Sequence, residues 1–168
     1  YNYGAYKIRP RRESDVSSGE TSNYTSYEIY EIQGEGHNSP LIDEFGEVDG
    51  IVTAIDNTGF YIQETTSDDN EKTSAGLYVL GGNNVSVGDK VTVKGKIIEY
   101  QIDHTGHFWV NQERQLTKTS IDSTVITVNS SGNALPDPVV FNTDREIPRP
   151  IIDNDSFGTF DPSEDAID

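Results

Sequence analysis

Apolar and polar residues alternate over residues 90–100, the longest such run in the chain, which places Val91, Val93, Gly95 and Ile97 on one face. A period of two marks a β-strand with one face buried. Shorter runs of the same kind surround it. Residues 47–55 put Val48, Gly50, Val52 and Ala54 on one face and Ile51, Thr53 and Ile55 on the other. Asn57-Thr58-Gly59 turns the chain into Phe60-Tyr61-Ile62-Gln63, and Gly76-Leu77-Tyr78-Val79-Leu80 forms the next strand, closed by Gly81 and Gly82. Residues 107–110, 114–118 and 125–128 supply further short strands. No window carries a helical period, so no helix is expected. Gly50 and Gly95 lie inside strand patterns, where glycine signals a bulge or a sharp bend of the kind a small barrel needs.

Short strands spaced this way predict an all-β fold, and a five-stranded Greek-key barrel of the OB type fits them best. The pattern divides the chain into a basic extended arm and linker (1–28), a barrel (29–142) and an acidic extended tail (143–168). Residues 13–26 have almost no apolar content and read as linker. The apolar pattern resumes at Ile29, Tyr30 and Ile32. Beyond residue 130 the pairs Pro136/Pro138 and Pro148/Pro150 exclude helix and central strand, yet Ile151, Ile152, Phe157 and Phe160 are apolar side chains in need of a surface.

Charge sharpens that division. The 168 residues carry a formal charge of -17 with only 33% hydrophobic residues. Lys7, Arg9, Arg11 and Arg12 stand without an acidic residue in the first 12 positions, so the remainder holds 8 basic against 29 acidic groups. A basic arm thus precedes an acidic body. Phosphate affinity comes from clustered cations, so the body's charge weighs against nucleic acid as a partner for this chain alone. No run approaches the roughly 20 apolar residues a spanning helix requires, so no membrane span is expected. With 0 Cys there is neither a disulfide framework nor a thiol nucleophile. Tyr1 in place of an initiator, 0 Met, few Lys and abundant Ser, Thr, Asn and Gly read as a secreted product or an excised fragment, placed outside the cell.

Candidate chemistry is sparse. Asp68 and Asp69 in one loop and Asp153 and Asp155 in the tail are oxygen-rich and would suit Ca²⁺, although no cofactor is required and no EF-hand spacing is met. His104 and His107 read as exposed hairpin residues, because a zinc site needs further ligands. No nucleophile elbow or phosphate-cradling loop is present, so no catalytic residue is expected.

The ordered set Ile29-Tyr30-Glu31-Ile32-Gln33-Gly34-Glu35-Gly36, Ser39-Pro40-Leu41, Val48-Asp49-Gly50-Ile51-Val52, Gly59-Phe60-Tyr61-Ile62-Gln63-Glu64 and Val87-Gly88-Asp89-Lys90-Val91 resembles the OB-fold accessory modules of secreted bacterial nucleases. The likeness covers about residues 29–141. It implies an OB-fold and a non-catalytic role, any nuclease activity residing in a separate domain. It also implies an accessory function in positioning nucleic acid, for which Tyr61, Tyr78 and Trp109 are the stacking candidates. The residues themselves favour a different reading. The arm (Lys7, Arg9, Arg11, Arg12) and the tail (Ile151, Ile152, Phe157, Phe160) point to an extracellular subunit that forms a homo-oligomer or filament by strand addition.

Overall fold

A computed structural model describes residues 23–66, 68–70, 72–82, 84–102, 108–110, 117–138, 140 and 143, with backbone only at 102 and 108–110. The expectations at Lys7, Arg9, Arg11, Arg12, His104, His107, Ile151, Ile152, Asp153, Asp155, Phe157 and Phe160 lie outside the described residues.

Among the described residues, seven strands and one short helix follow in the order β1 (Thr25–Ser26), α1 (Ile29–Gln33), β2 (Phe45–Ile55), β3 (Gly59–Gln63), β4 (Gly76–Leu80), β5 (Lys90–Ile102), β6 (Phe108–Val110) and β7 (Lys118–Ser130). The fold is all-β, as the alternation requires. The strands form one sheet in the order β1-β2-β3-β4-β7-β5-β6, with β2 and β5 also paired. β2 is therefore bonded twice, to β5 over residues 45–51 and to β3 over residues 51–55. β4 joins β7 in parallel through Tyr78↔Ser120, Val79↔Ile121 and Leu80↔Asp122.

The ladder between β5 and β7 runs antiparallel from Lys90↔Ser130 to Tyr100↔Lys118 and is the longest in the sheet. Val91, Val93 and Ile97 point inward from β5 and meet Val48, Phe60, Ile62 and Ile121, all within 1% of complete burial. The opposite face carries a second, smaller cluster of Tyr78, Ile98 and Tyr100, with Leu80 against it. Side chains alternate between faces along a strand, so one ladder supports both clusters.

Gly95 marks a change of register with β7, where Lys94 opposes Val125 and Gly95 opposes Ser123, leaving Thr124 as the extra residue. A Cβ on Gly95 would lie 2.2 Å from the Asp122 carbonyl oxygen. The glycine lets two backbones approach at the bulge, the role its place in the alternation suggested.

Three features depart from the sequence reading. Residues 29–33 form α1, although no helical period was expected. A five-residue helix is too short to show one, and it is held by contacts rather than propensity. Ile29 and Ile32 are fully buried in the inner cluster, the Glu28 N–H donates to Glu31 Oε2 (2.9 Å), and Gly34 at φ 65° ends the helix against Pro40. Residues 25–26, within the expected linker, pair with Gly46 and Glu47 as β1. Tyr27 then packs against the inner cluster and anchors this segment. Finally, Lys118 and residues 125–128, expected in two separate strands, both lie in β7, which runs from Lys118 to Ser130 with β5 as its partner, while residues 114–116 lie outside the described residues.

Replacing Gly95 by Ala should cost about 3 kcal/mol in urea denaturation, since the new methyl must displace the Asp122 carbonyl and reset the bulge. Ala at Gly132 meets nothing within 4 Å and bears only the strain of its φ of 71°, about 1 kcal/mol.

Candidate functional site

On the outer face, cross-strand registry brings aromatic residues together. Tyr61 of β3 lies directly opposite Tyr78 of β4, and Tyr100 of β5 lies opposite Lys118 of β7. Residues opposed in this way share a face. The rings of Tyr61 and Tyr78 are 4.9 Å apart, and those of Tyr78 and Tyr100 are 5.7 Å apart and stacked. Lys118 Nζ sits 3.5 Å from the Tyr78 ring centroid and donates to the Tyr61 hydroxyl at 2.8 Å. Here a lysine is stabilised by ring quadrupoles rather than by a carboxylate.

The Tyr78 hydroxyl donates to Asp56 Oδ1 (3.0 Å) and shares a 2.6 Å hydrogen bond with Thr58 Oγ1. Burial, reinforced by the Asp56 carboxylate, pushes the Tyr78 phenol up to about 12. Burial also opposes the charge on Asp56. Hydrogen bonds from the Thr58 N–H, the Tyr78 hydroxyl and the Gly59 N–H outweigh it and hold the carboxyl below its usual range.

Tyr61 and Tyr78 are thus brought together, but only Tyr61 reaches solvent. Tyr78 is 1% exposed, with Tyr61, Tyr100 and Lys118 over its ring, and offers no face for a base to stack on. Trp109 stands opposite Gln101 in the β5–β6 ladder, away from the Tyr61 and Tyr78 pair in the pairing order. Lys118 escaped the sequence reading. Its signal was that a cation, scarce in this chain, stands at the end of the strand pattern 114–118.

Three other lysines answer acids. Lys94 pairs with its cross-strand partner Glu47 (2.6 Å), Lys96 with Asp43 (2.7 Å) and Lys72 with Glu35 (3.6 Å). Exposed pairs of this kind contribute little to stability, but they neutralise Lys94 and Lys96, two of the three lysines of β5. In the loop after β3, Asp68 accepts from the Asn70 N–H and from Thr73 Oγ1, and the Thr73 hydrogen bond leads in lowering its pKa. Asp69 sits beside it at φ 57°. Among the described residues no group of three or more His, Cys, Asp or Glu side chains is placed to hold a metal ion.

Two buried carboxylates were not anticipated. Glu99 of β5 accepts from the Ser39 N–H (2.8 Å) and Thr119 Oγ1 (2.9 Å) through one oxygen and from Thr117 Oγ1 (2.7 Å) through the other. It ties the segment before β2 to the start of β7. Glu64, 7% exposed, accepts from the Ile29 N–H through Oε2 (3.2 Å), while its Oε1 is buried with no hydrogen-bond partner. Burial raises its pKa; the Ile29 N–H opposes this, and Glu28 and Asp68 add to it.

The last feature is an edge. β4 covers β7 only at residues 120–122, and among the described residues residues 123–130 have β5 alone as a ladder partner. Val125 and Val128 are 45% and 43% exposed. No charged residue occurs from Ser123 through Pro136. Edge strands are ordinarily blunted by Lys, Pro or covering chain, and this one carries none of its own until Pro136. Its regular part, residues 125–128, lies between two changes of register.

No family model matches the chain, and no curated protein or solved structure matches it.

Two titrations check these assignments. A carboxyl with a raised folded pKa contributes stability below its unfolded value, near 4.5, and loses it as pH rises. Glu64→Gln should therefore melt above the parent at pH 7, and the advantage should vanish near pH 3. For Tyr78, the stability present below pH 10 is lost as pH rises through about 12. Tyr78→Phe should cost about 1 kcal/mol at pH 8 by thermal melting, with the gap from the parent closing between pH 10 and 12.

Proposed function

We propose that this chain is a non-catalytic extracellular subunit, built as a five-stranded OB-fold-like Greek-key barrel, that self-associates by strand addition through its terminal segments. The ladder order supports the barrel, since β2, β3, β4, β7 and β5 pair in succession and β5 pairs back to β2. The polar composition, rich in Ser, Thr, Asn and Gly and poor in Lys, favours the extracellular setting.

The observation that carries the function is the outer edge of β7. Among the described residues, the eight residues from Ser123 to Ser130 have a strand partner on one side alone, so roughly half of their main-chain groups face outward from the ladder, each worth about 1 kcal/mol net when paired. Added strands draw strength from main-chain bonds and specificity from alternate side chains. In a chain at -17, two copies repel except where the surface is neutral, and residues 123–136 are neutral. Assembly needs no metal in this scheme, although Ca²⁺ bridging acidic surfaces would strengthen it.

The second reading, nucleic-acid positioning within a larger secreted nuclease, draws on Tyr61, 36% exposed beside Lys118. The pairing of Lys72, Lys94 and Lys96 with carboxylates argues against a cationic groove.

Size-exclusion chromatography with light scattering and electron microscopy of the full chain should show concentration-dependent assembly. The double variant Val125→Lys/Val128→Lys should stay monomeric with an unchanged β-sheet circular dichroism spectrum, because both valines are half exposed. A parent that is monomeric at every concentration, or a variant that assembles as well as the parent, would sink the proposal. Single-strand binding that weakens steeply with salt would favour the nuclease-module reading instead.

A further inference from the structure

We infer that the strand added to β7 is residues 1–9 of a second copy, and that the contact is head-to-tail and open-ended. The inference rests on the self-association proposed above and names its donor.

The edge spans residues 123–130, about 27 Å of extended chain, and asks for a donor of similar length that can give an unbroken series of N–H groups. Among the segments outside the described residues, 1–9 meets this best. It is free of proline up to Pro10, and Tyr1, Tyr3, Tyr6 and Ile8 give it β-favouring side chains. No charged side chain precedes Lys7, so its first six residues lie against a neutral edge without burying an unpaired ion, and Lys7 and Arg9 fall at the end of the strand. The tail suits the edge less well. Prolines break it at 148, 150 and 162, and its longest proline-free part, residues 151–161, carries Asp153, Asp155 and Asp161 with Gly158 among them. Ahead of it, the Thr143 N–H donates to the Val140 carbonyl.

Charge fixes the ends of the contact. Asp122 and Asp137, both exposed, bracket the uncharged run of β7. Arg9 ends the donor and Arg11 and Arg12 follow it directly, so a cluster of cations at that end of the added strand complements the acidic residues that bound the uncharged run. Residues 10–22 give about 43 Å of reach between the donor and the β1 root, enough to cross from one subunit to the next.

Polarity follows from where the two surfaces lie. The arm enters the fold through β1, which is paired to β2, with Tyr24 edge-to-face on Phe45 at 6.0 Å. The acceptor is β7, on the far side of β5 from β2. Donor root and acceptor are different surfaces, so the contact is heterologous. Each subunit that gives its arm still has an empty edge, and growth continues unless the rotation closes a ring.

Two full-length variants separate the halves of the contact. Tyr3→Pro/Tyr6→Pro removes donor N–H groups and leaves the edge intact. Val125→Lys/Val128→Lys blocks the edge and leaves the arm intact. Each should be monomeric alone with a parental circular dichroism spectrum. Mixed in equal amounts, they should form a capped heterodimer of about twice the monomer mass and nothing larger. Assembly of the arm variant alone, at the parental level, would overturn the inference, because the tail or a β7-to-β7 pairing would then be the donor. A mixture that stays monomeric would overturn it as well, in favour of an arm folded back on its own subunit. Either result leaves self-association standing if the parent assembles and the edge variant does not.

Discussion

β5 and β7 pair along almost their whole length, and the remaining structure takes its position from that ladder. β2 registers on the first half of β5, β4 on the start of β7, and β6 on the end of β5. The inner core and the outer tyrosine cluster hang from opposite faces of the same backbone. Such a strand must bend to serve both, and the bend sits at Gly95, where any side chain would collide with the partner's carbonyl.

Around this ladder, buried carboxylates do what a larger apolar core would do in a richer sequence. With 33% hydrophobic residues, the chain has too few side chains to pack every segment. Glu99 gathers Ser39, Thr117 and Thr119, and Glu64 receives the first amide of α1. Glu99 has its acceptors well used, whereas Glu64 leaves one oxygen unpaired and opposes its own ionisation. Buried polar groups of this sort specify an arrangement even where they add little stability.

The acidic surface bears on association in the same physical terms. A high net charge keeps copies apart at long range and leaves short-range, directional contacts to decide which surfaces meet. The neutral edge of β7 stands out against the ion-paired β2–β5 ladder, where Glu47 and Lys94 face each other across the strands. An opposite-charge pair crosses one ladder, and among the described residues the other ends in main chain with a partner on one side alone.

Local periodicity determined much of what was legible in the sequence. β4 occurs at the residues its apolar run marks, β5 turns Val91, Val93 and Ile97 inward as the alternation requires, and Gly95 sits at a bulge. The uneven distribution of charge is likewise a property of composition alone. What the tertiary structure decided is everything that depends on a partner distant in sequence. α1 is too short to announce itself and is held by Glu64, 35 residues away. Tyr78 looked like a platform and is covered, because Tyr61, Tyr100 and Lys118 come from three other strands. Lys118 and residues 125–128 looked like parts of separate strands and share β7, because β5 pairs with both. An open edge cannot be read from a strand's own residues, since it is set by which neighbour stops short. Here that neighbour is β4, whose pairing with β7 ends at Asp122.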